Sequence, residues 1–552
     1  MRLRRLTALL ATGLLLAGTA CTSGGGEPAA TPSPEPSPSA EPDRTAEAEE
    51  LMADMSTEEK VGQLFVLQAD GTTAAENAAT IADLHPGGFI YFPQNLTGAE
   101  QIADLSNGLQ DLAADSGAGI PLFLGIDQEH GMVARLPVGA RFPDAMAVGA
   151  TGDTEMAATL ARTTAADLTA LGVNLDYAPD ADVNADPANP VIGIRSFGSD
   201  PELVGDLALA EAAAFAEGGV VPAVKHFPGH GDTATDSHTG LPVVDKTRAE
   251  WEREDLPPFR RAIAADVDMI MTGHLLFPAL DDSGEPATLS PAVVDGVLRG
   301  ELGYDGVVTT DALNMEGVRQ THGDGEVAVR AVLAGIDQLL MPPDGAAAVR
   351  AVRDAVADGT ISEERLDDSV RRVLELKLRR GLFDADPVDA GAAAAAVGSD
   401  EHQAAAQRVA DASVTLLRDE GGVLPLDGGA TVHVAGEGAD TIAAELERLG
   451  HPVAGAAAEA DVAVVGTDGG GDNAGAVAAA RSAGVPVVVV GQGTPYEVAD
   501  LGAADAYLAV YSAMEVSRTA AARAIAGETP PTGRLPVAIP AADLPAGAGL
   551  EY

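Results

Sequence analysis

Three histidines, one lysine and two aspartates fall within Lys225-His-Phe-Pro-Gly-His-Gly-Asp-Thr-Ala-Thr-Asp-Ser-His238. Imidazoles change charge near neutral pH and carboxylates stay ionised there. Such a cluster suits proton transfer and the binding of polar ligands. Metal binding is the competing chemistry, because His230, Asp232, Asp236 and His238 are all ligand types. Their spacing matches no familiar zinc signature, so no metal and no cofactor is expected. Val220, Val221, Ala223 and Val224 run into the cluster and read as a short buried strand. The polar residues then follow the strand's end, and Gly229 and Gly231 turn the chain over a cleft.

The elements that must carry these groups repeat. Short apolar runs occur at 64–67, 88–92, 122–126, 173–177, 221–224, 269–272, 306–310 and 338–341. Helical segments are expected between them over 99–114, 154–171, 201–217, 248–265 and 291–302. Buried, non-alternating strands separated by helices imply parallel pairing. Eight such units imply a (β/α)8 TIM-like barrel over 47–385, with an open doubly wound sheet as the alternative. Polar residues stand at the strand ends: Asp127 after the third, Asp176 ending the fourth, Lys225 and His226 after the fifth, His274 after the sixth and Asp311 after the seventh. Active sites of such barrels form at those ends.

Beyond a connector at 386–399, strand-like runs resume at 431–435, 461–465, 486–490 and 507–511. They imply an α/β/α sandwich domain, a three-layer unit with a mostly parallel sheet, over 400–552. The Gly-rich stretch 466–473 lacks the spacing and the Lys-Ser/Thr of a phosphate-binding loop and reads as a surface loop.

Composition narrows the partners. The net charge of −51 repels nucleic acid and anionic lipid. The N-terminus has a basic start, Met1-Arg-Leu-Arg-Arg5, and an apolar stretch over 6–20, which together read as a secretory signal over 1–21. Cys21, the only cysteine, follows Gly18-Thr19-Ala20 and resembles the lipidation box of a bacterial lipoprotein. Gly18 stands where that box usually has a larger apolar residue. The Pro-, Ser- and Gly-rich stretch 22–46 reads as an extended tether. Secretion, with a lipid anchor at Cys21 on the extracytoplasmic face as the only membrane attachment, is the expectation. The oligomeric state is not readable.

The segment Lys225-His-Phe-Pro-Gly-His-Gly231 followed by Asp236-Ser-His238, together with Thr309-Thr-Asp-Ala-Leu-Asn-Met-Glu-Gly317, resembles the β-N-acetylhexosaminidases of glycoside hydrolase family 3. Weaker likeness continues through Ser413–Glu420, Leu424-Pro-Leu426 and Gly533–Val537. The resemblance implies a retaining exo-β-N-acetylglucosaminidase acting on β-linked N-acetylglucosamine oligosaccharides from cell-wall muropeptides or chitin. It implies Asp311 as nucleophile, His238 as general acid/base and Asp236 as its dyad partner. Asp127, Arg135, Arg195, Lys225 and His226 would hold the sugar. Glu316 is a rival carboxylate, less well placed. His274 either lines the floor or satisfies a strand-end backbone group. The chain departs from the family at His130, where a glycine is common after Asp-Gln-Glu. Phosphorolysis, β-glucosidase activity and a catalytically silent sugar-binding lipoprotein are the alternatives.

Overall fold

The computed structural model describes residues 44–469 and 473–552. The segments expected to be a secretory signal with Cys21 and a tether lie, up to residue 43, outside the described residues. The helix Arg44–Ala53 overlaps the last three positions expected to belong to the tether. Among the described residues no helix is long and apolar enough to cross a membrane.

Eight parallel strands form the first sheet: β1 (Phe65–Gln68), β2 (Gly88–Ile90), β3 (Phe123–Ile126), β4 (Leu175–Asp176), β5 (Val221–Phe227), β6 (Met269–Thr272), β7 (Val307–Thr310) and β8 (Leu339–Leu340). β1 pairs with both β2 and β8. β7 and β8 meet through a parallel bridge between Thr309 and Gln338, so the sheet curls into a barrel. Every strand corresponds to an apolar run of the sequence, because a strand buried on both faces has no polar side to alternate with.

The barrel's interior is packed by Val66, Ile90, Phe123, Leu175, Val221, Met269 and Val307. Val373 and Leu376 of the helix Glu363–Arg379 join that cluster. The buried Lys377 ammonium from the same helix donates to Gln63 Oε1 (2.8 Å) and to the Gly87 carbonyl (3.0 Å). Gln63 and Gly87 precede β1 and β2, so this helix stoppers the end of the barrel opposite the strand C-termini.

Helix ends follow the side chains that cap them. Asp153, Asp200 and Ser362 each accept a first-turn backbone N–H at a helix start. The helices at 99–114 and 201–217 have the expected bounds. The segment 248–265 does not form one helix. It breaks at Asp255 into Arg248–Glu254 and Leu256–Ala264, because Pro257 and Pro258 have no N–H to continue the ladder but fit a first turn. The segment from Ala292 to Glu301 is wound as a π-helix.

The second sheet has five strands: β9 (Thr415–Asp419), β10 (Val432–Gly436), β11 (Val462–Thr467), β12 (Val487–Gly491) and β13 (Ala506–Ala509). Their order is β9-β13-β12-β11-β10, with β9 antiparallel and the others parallel. β9 was not expected as a strand; its Thr-Leu-Leu-Arg-Asp sequence is an edge strand of mixed polarity. The connector contains the helix Ala390–Ala396. The Gly-rich stretch 466–473 begins inside β11, and residues 470–472 lie outside the described residues.

The two domains share apolar surface. Met146, Ala147 and Ala150 of the barrel's helix Ala145–Thr151 pack in one cluster with Leu417, Val465 and Tyr507 of the sandwich. The Arg534 N–H donates to the Ala150 carbonyl (2.7 Å) and the Ser199 N–H to the Pro536 carbonyl (3.0 Å). Asn184 Nδ2 donates to the Tyr496 hydroxyl (3.1 Å).

Candidate active site

A cavity of about 390 Å³ opens at the C-terminal ends of the barrel strands. Ile90, Met271 and Leu340 form an apolar floor, and Asp127, Glu129, Arg135, Arg195, Lys225, His226, His238 and Asp311 supply polar walls. The strand ends and the loops after them therefore bring together every residue expected to act in catalysis or to hold the sugar except Asp236, which reaches the cavity through His238.

Lys225 and His226 belong to β5 rather than following it, which corrects the expected strand end at Val224. Successive residues of a regular strand point to opposite faces. Here both line the cavity, and the pairing with β6 slips between Val224 and Phe227, so two residues oppose one. This bulge re-aims neighbouring side chains to the same side.

The walls are paired among themselves. Arg195 grips Glu129 with a bidentate pair (2.8 and 2.7 Å), and Lys225 contacts the same carboxylate. Burial pushes the Glu129 carboxyl up, but Arg195 and Lys225 outweigh it and hold the group well below the ordinary range. Burial likewise pulls the Lys225 ammonium down, and the Glu129 and Asp127 carboxylates more than restore its charge. Asp127 has only loose ion pairs, 3.9 Å to Lys225 and 3.7 Å to Arg135. Burial raises its carboxyl despite both cations, and its oxygens keep lone pairs for a ligand's hydroxyls. The Arg135 guanidinium lies over the Phe92 ring at 5.6 Å.

His226 Nδ1 donates to Asp182 Oδ2 (2.6 Å), and the His230 N–H donates to Asp182 Oδ1 (2.6 Å). Burial acts to raise Asp182, but His226 and then His230 hold it ionised. With Nδ1 committed, His226 Nε2 is the nitrogen left for a ligand.

Asp311 follows β7 directly. Its Oδ1 accepts the Ala312 N–H (2.7 Å). Burial raises the carboxyl, but His226, His274, the Ala312 N–H and Lys225 together bring it below its ordinary value. An ionised carboxylate here is fit to attack a carbon that develops positive charge. Asp236 and His238 sit on the loop after β5. Asp236 Oδ1 accepts from His238 Nδ1 (2.8 Å) and from the His238 N–H (2.9 Å). The His238 side chain is 60% exposed, unlike the buried wall.

Other residues resolve differently. Glu316 is exposed, pairs with Arg319 at 3.7 Å and lies outside the cavity. His274 is buried and donates from Nε2 to the Ala312 carbonyl (3.1 Å), so it serves the strand-end backbone. His130 adopts a left-handed backbone (φ 73°) at the position where glycine was expected. Its ring turns away from the cavity, packs against Phe142 and bonds Thr164 (2.6 Å). Burial, then Arg141, pushes its imidazole down to about 3, so it stays neutral. The four residues weighed as metal ligands do not converge, since Asp232 turns to Lys246 (3.2 Å). Asp180, Asp182 and His226 do bring ligand atoms within 4.8 Å of one another. The Arg195 guanidinium stands 3.8 Å from Asp180, and a cation is already in place there.

Sequence reasoning missed Glu129, Asp180 and Asp182. The available signal was the density of carboxylates after strand runs, in Asp127-Gln-Glu129 and in Asp176-Tyr-Ala-Pro-Asp-Ala-Asp182. Their partners lie tens of residues away, and no local pattern specifies such pairs.

Residues 56–376 match the glycosyl hydrolase family 3 N terminal domain, more than half of the chain, and the protein belongs to that family. A beta-hexosaminidase A of Pseudoalteromonas piscicida is 38% identical over 397 residues, covering 66% of this chain and 64% of that protein. The chain thus spans less than two thirds of that relative. A beta-N-acetylglucosaminidase/beta-glucosidase of Cellulomonas fimi is 30% identical over 384 residues, covering 68% of this chain and 67% of that one. Among solved structures, a glycoside hydrolase family 3 beta-N-acetylglucosaminidase from Paenibacillus sp. str. FPU-7 superposes with a TM-score of 0.82 at 37% identity, covering 88% of this chain and 99% of that chain.

Proposed function

We propose that this protein is a retaining exo-β-N-acetylglucosaminidase. The observation that carries the reading is that Asp311, held below its ordinary value, and His238, oriented by Asp236, line one cavity whose remaining polar wall is a set of prearranged hydrogen-bonding groups. Glycoside cleavage needs a protonated leaving oxygen and a stabilised oxocarbenium-like transition state. Asp311 attacks the anomeric carbon and forms a glycosyl ester. His238 gives its proton to the departing oxygen, then takes one from the water that hydrolyses the ester. Asp236 orients the imidazole and stabilises its cationic form. Asp127, Arg135, Arg195, Lys225 and His226 hold the sugar hydroxyls through charge-assisted hydrogen bonds. The named activities of the similar proteins support the choice of N-acetylglucosamine.

The test is a comparison of an aryl N-acetylglucosaminide with the matching aryl glucoside. Turnover of the first at least tenfold faster than the second supports the reading, and the reverse preference overturns it. Intact-protein mass spectrometry after a rapid quench should show one added sugar on the wild type and none on Asp311→Asn. Release of free sugar rather than the sugar 1-phosphate in phosphate buffer separates hydrolysis from phosphorolysis. The substrate class we propose is cell-wall muropeptides or chitooligosaccharides, tested by comparing monosaccharide release from each. We further propose a lipid-anchored extracytoplasmic location, for which Cys21→Ser should move the protein from the membrane to the soluble fraction.

A further inference from the structure

Among the described residues His230 makes no ion pair; it lies almost fully buried, between the rigid wall and the loop that carries His238. Its backbone N–H is tied to Asp182, the carboxylate that also holds His226. Its carbonyl accepts from Asn189 Nδ2 (2.9 Å) and from Thr233 Oγ1 (3.0 Å). The Thr233 hydroxyl also stands 2.7 Å from Nδ1. With its one proton on the carbonyl it accepts from Nδ1–H, and in that tautomer Nε2 is an acceptor. The group facing it, at 3.0 Å, is the Ser237 hydroxyl. Burial, then His226, pushes the His230 imidazole down to about 4, which keeps it neutral in this role.

Ser237 is the one buried residue of the Asp236-Ser237-His238 segment. It is 1% exposed, whereas the flanking side chains are 33% and 60% exposed. Besides His230, its other anchor is the Gly317 N–H, which donates to the Ser237 carbonyl (3.0 Å). Gly231, next to His230, lies so close to the Val183 carbonyl that a Cβ would come within 1.9 Å of it, so the base of the latch is fixed to the barrel backbone.

We propose that His230 is a positioning residue: by accepting from Ser237 it latches the acid/base loop to the barrel and holds the His238 imidazole at the mouth of the cavity. The proposal rests on the reading of His238 as general acid/base. His230 reaches that group only through the neighbouring serine, and its effect must appear in the step that needs protonation.

The experiment uses His230→Leu, His230→Gln, Ser237→Ala and the double variant His230→Leu/Ser237→Ala in the full chain. Two aryl N-acetylglucosaminides are compared, one with an activated nitrophenol leaving group and one with unsubstituted phenol. Loss of one buried hydrogen bond predicts a fall of roughly tenfold in kcat/KM on the poor leaving group. On the activated substrate the fall should be under threefold, with KM little changed. His230→Gln, which retains an acceptor, should recover most of the loss. The double variant should be no worse than His230→Leu alone, because both singles cut the same bond. Equal losses on both substrates, or additive losses in the double variant, overturn the latch. Amide hydrogen exchange across 232–240 gives an independent reading. It should speed up in His230→Leu and Ser237→Ala at unchanged melting temperature, and unchanged exchange also overturns the proposal. Should the wild type leave both N-acetylglucosaminides intact, the catalytic reading falls, while the exchange measurement still decides the latch.

Discussion

The two halves of the candidate site are built on opposite terms. The wall contributed by the strand ends is buried and self-paired: Glu129 bridges Arg195 and Lys225, and Asp182 fixes His226 and His230 before any ligand arrives. The dyad is loop-borne and open to solvent, and among the described residues His238 has only Asp236 as a side-chain partner. Recognition of a sugar profits from donors and acceptors that need no reorganisation. A group that must give a proton and later take one back profits from contact with water. In the proposed mechanism the contrast separates sugar binding from proton transfer in space.

The comparison can be broken most directly at Asp311, the wall residue that shares the cavity with His238. Asp311→Asn is expected to lower kcat on the order of 10⁴-fold or more, with folding unchanged by circular dichroism. A residual rate within tenfold of wild type would remove the carboxylate from the mechanism. On the loop side, His238→Ala should cost about 10²–10⁴-fold on a phenyl leaving group and far less on an activated one. Glu129→Gln should act on binding: about 10²-fold in kcat/KM, mainly through KM, because Lys225 and Arg195 lose the charge that orders them. A loss confined to kcat would assign Glu129 to the chemistry instead.

The last effect lies behind the wall and acts on stability, not on turnover. Asp176 accepts the Gln128 N–H (2.9 Å), and burial pushes its carboxyl up to about 8. Its Oδ2 has no hydrogen-bond partner among the described residues. The folded state therefore keeps a proton that the unfolded chain releases near its ordinary value of about 4. Stability falls as pH rises from about 4 to about 8, and then levels off. Asp176→Asn, a mimic of the neutral acid, should flatten that part of the Tm-versus-pH curve. An identical slope in both proteins would show that Asp176 is ionised.

Much of the scaffold was legible because burial writes itself into composition. The eight apolar runs became eight strands, with ends displaced by at most two residues except at β5, which runs three residues past Val224. Where the reading failed, polarity misled it. Lys225 and His226 looked like a loop because their charges are answered by Glu129 and Asp182, on other segments. The edge strand Thr415–Asp419 has a half-exposed end and reads as neither pattern. The break at Asp255 was visible in Pro257-Pro258 and was passed over. For the site, the residues at the cavity were legible from strand ends and motif, but the pairings among them were not, since each joins separate elements.

The stopper helix Glu363–Arg379 has a consequence for how the protein is made. β1 cannot find its second neighbour until β8 has been synthesised, and the barrel's far opening is filled only after residue 376. During translation the earlier strands form an incomplete curl with exposed edges and an accessible apolar lumen. Such a nascent state is prone to wrong pairing. A chain terminated before this helix would still encode every residue that lines the cavity, yet it would lack the piece that shuts the barrel from below.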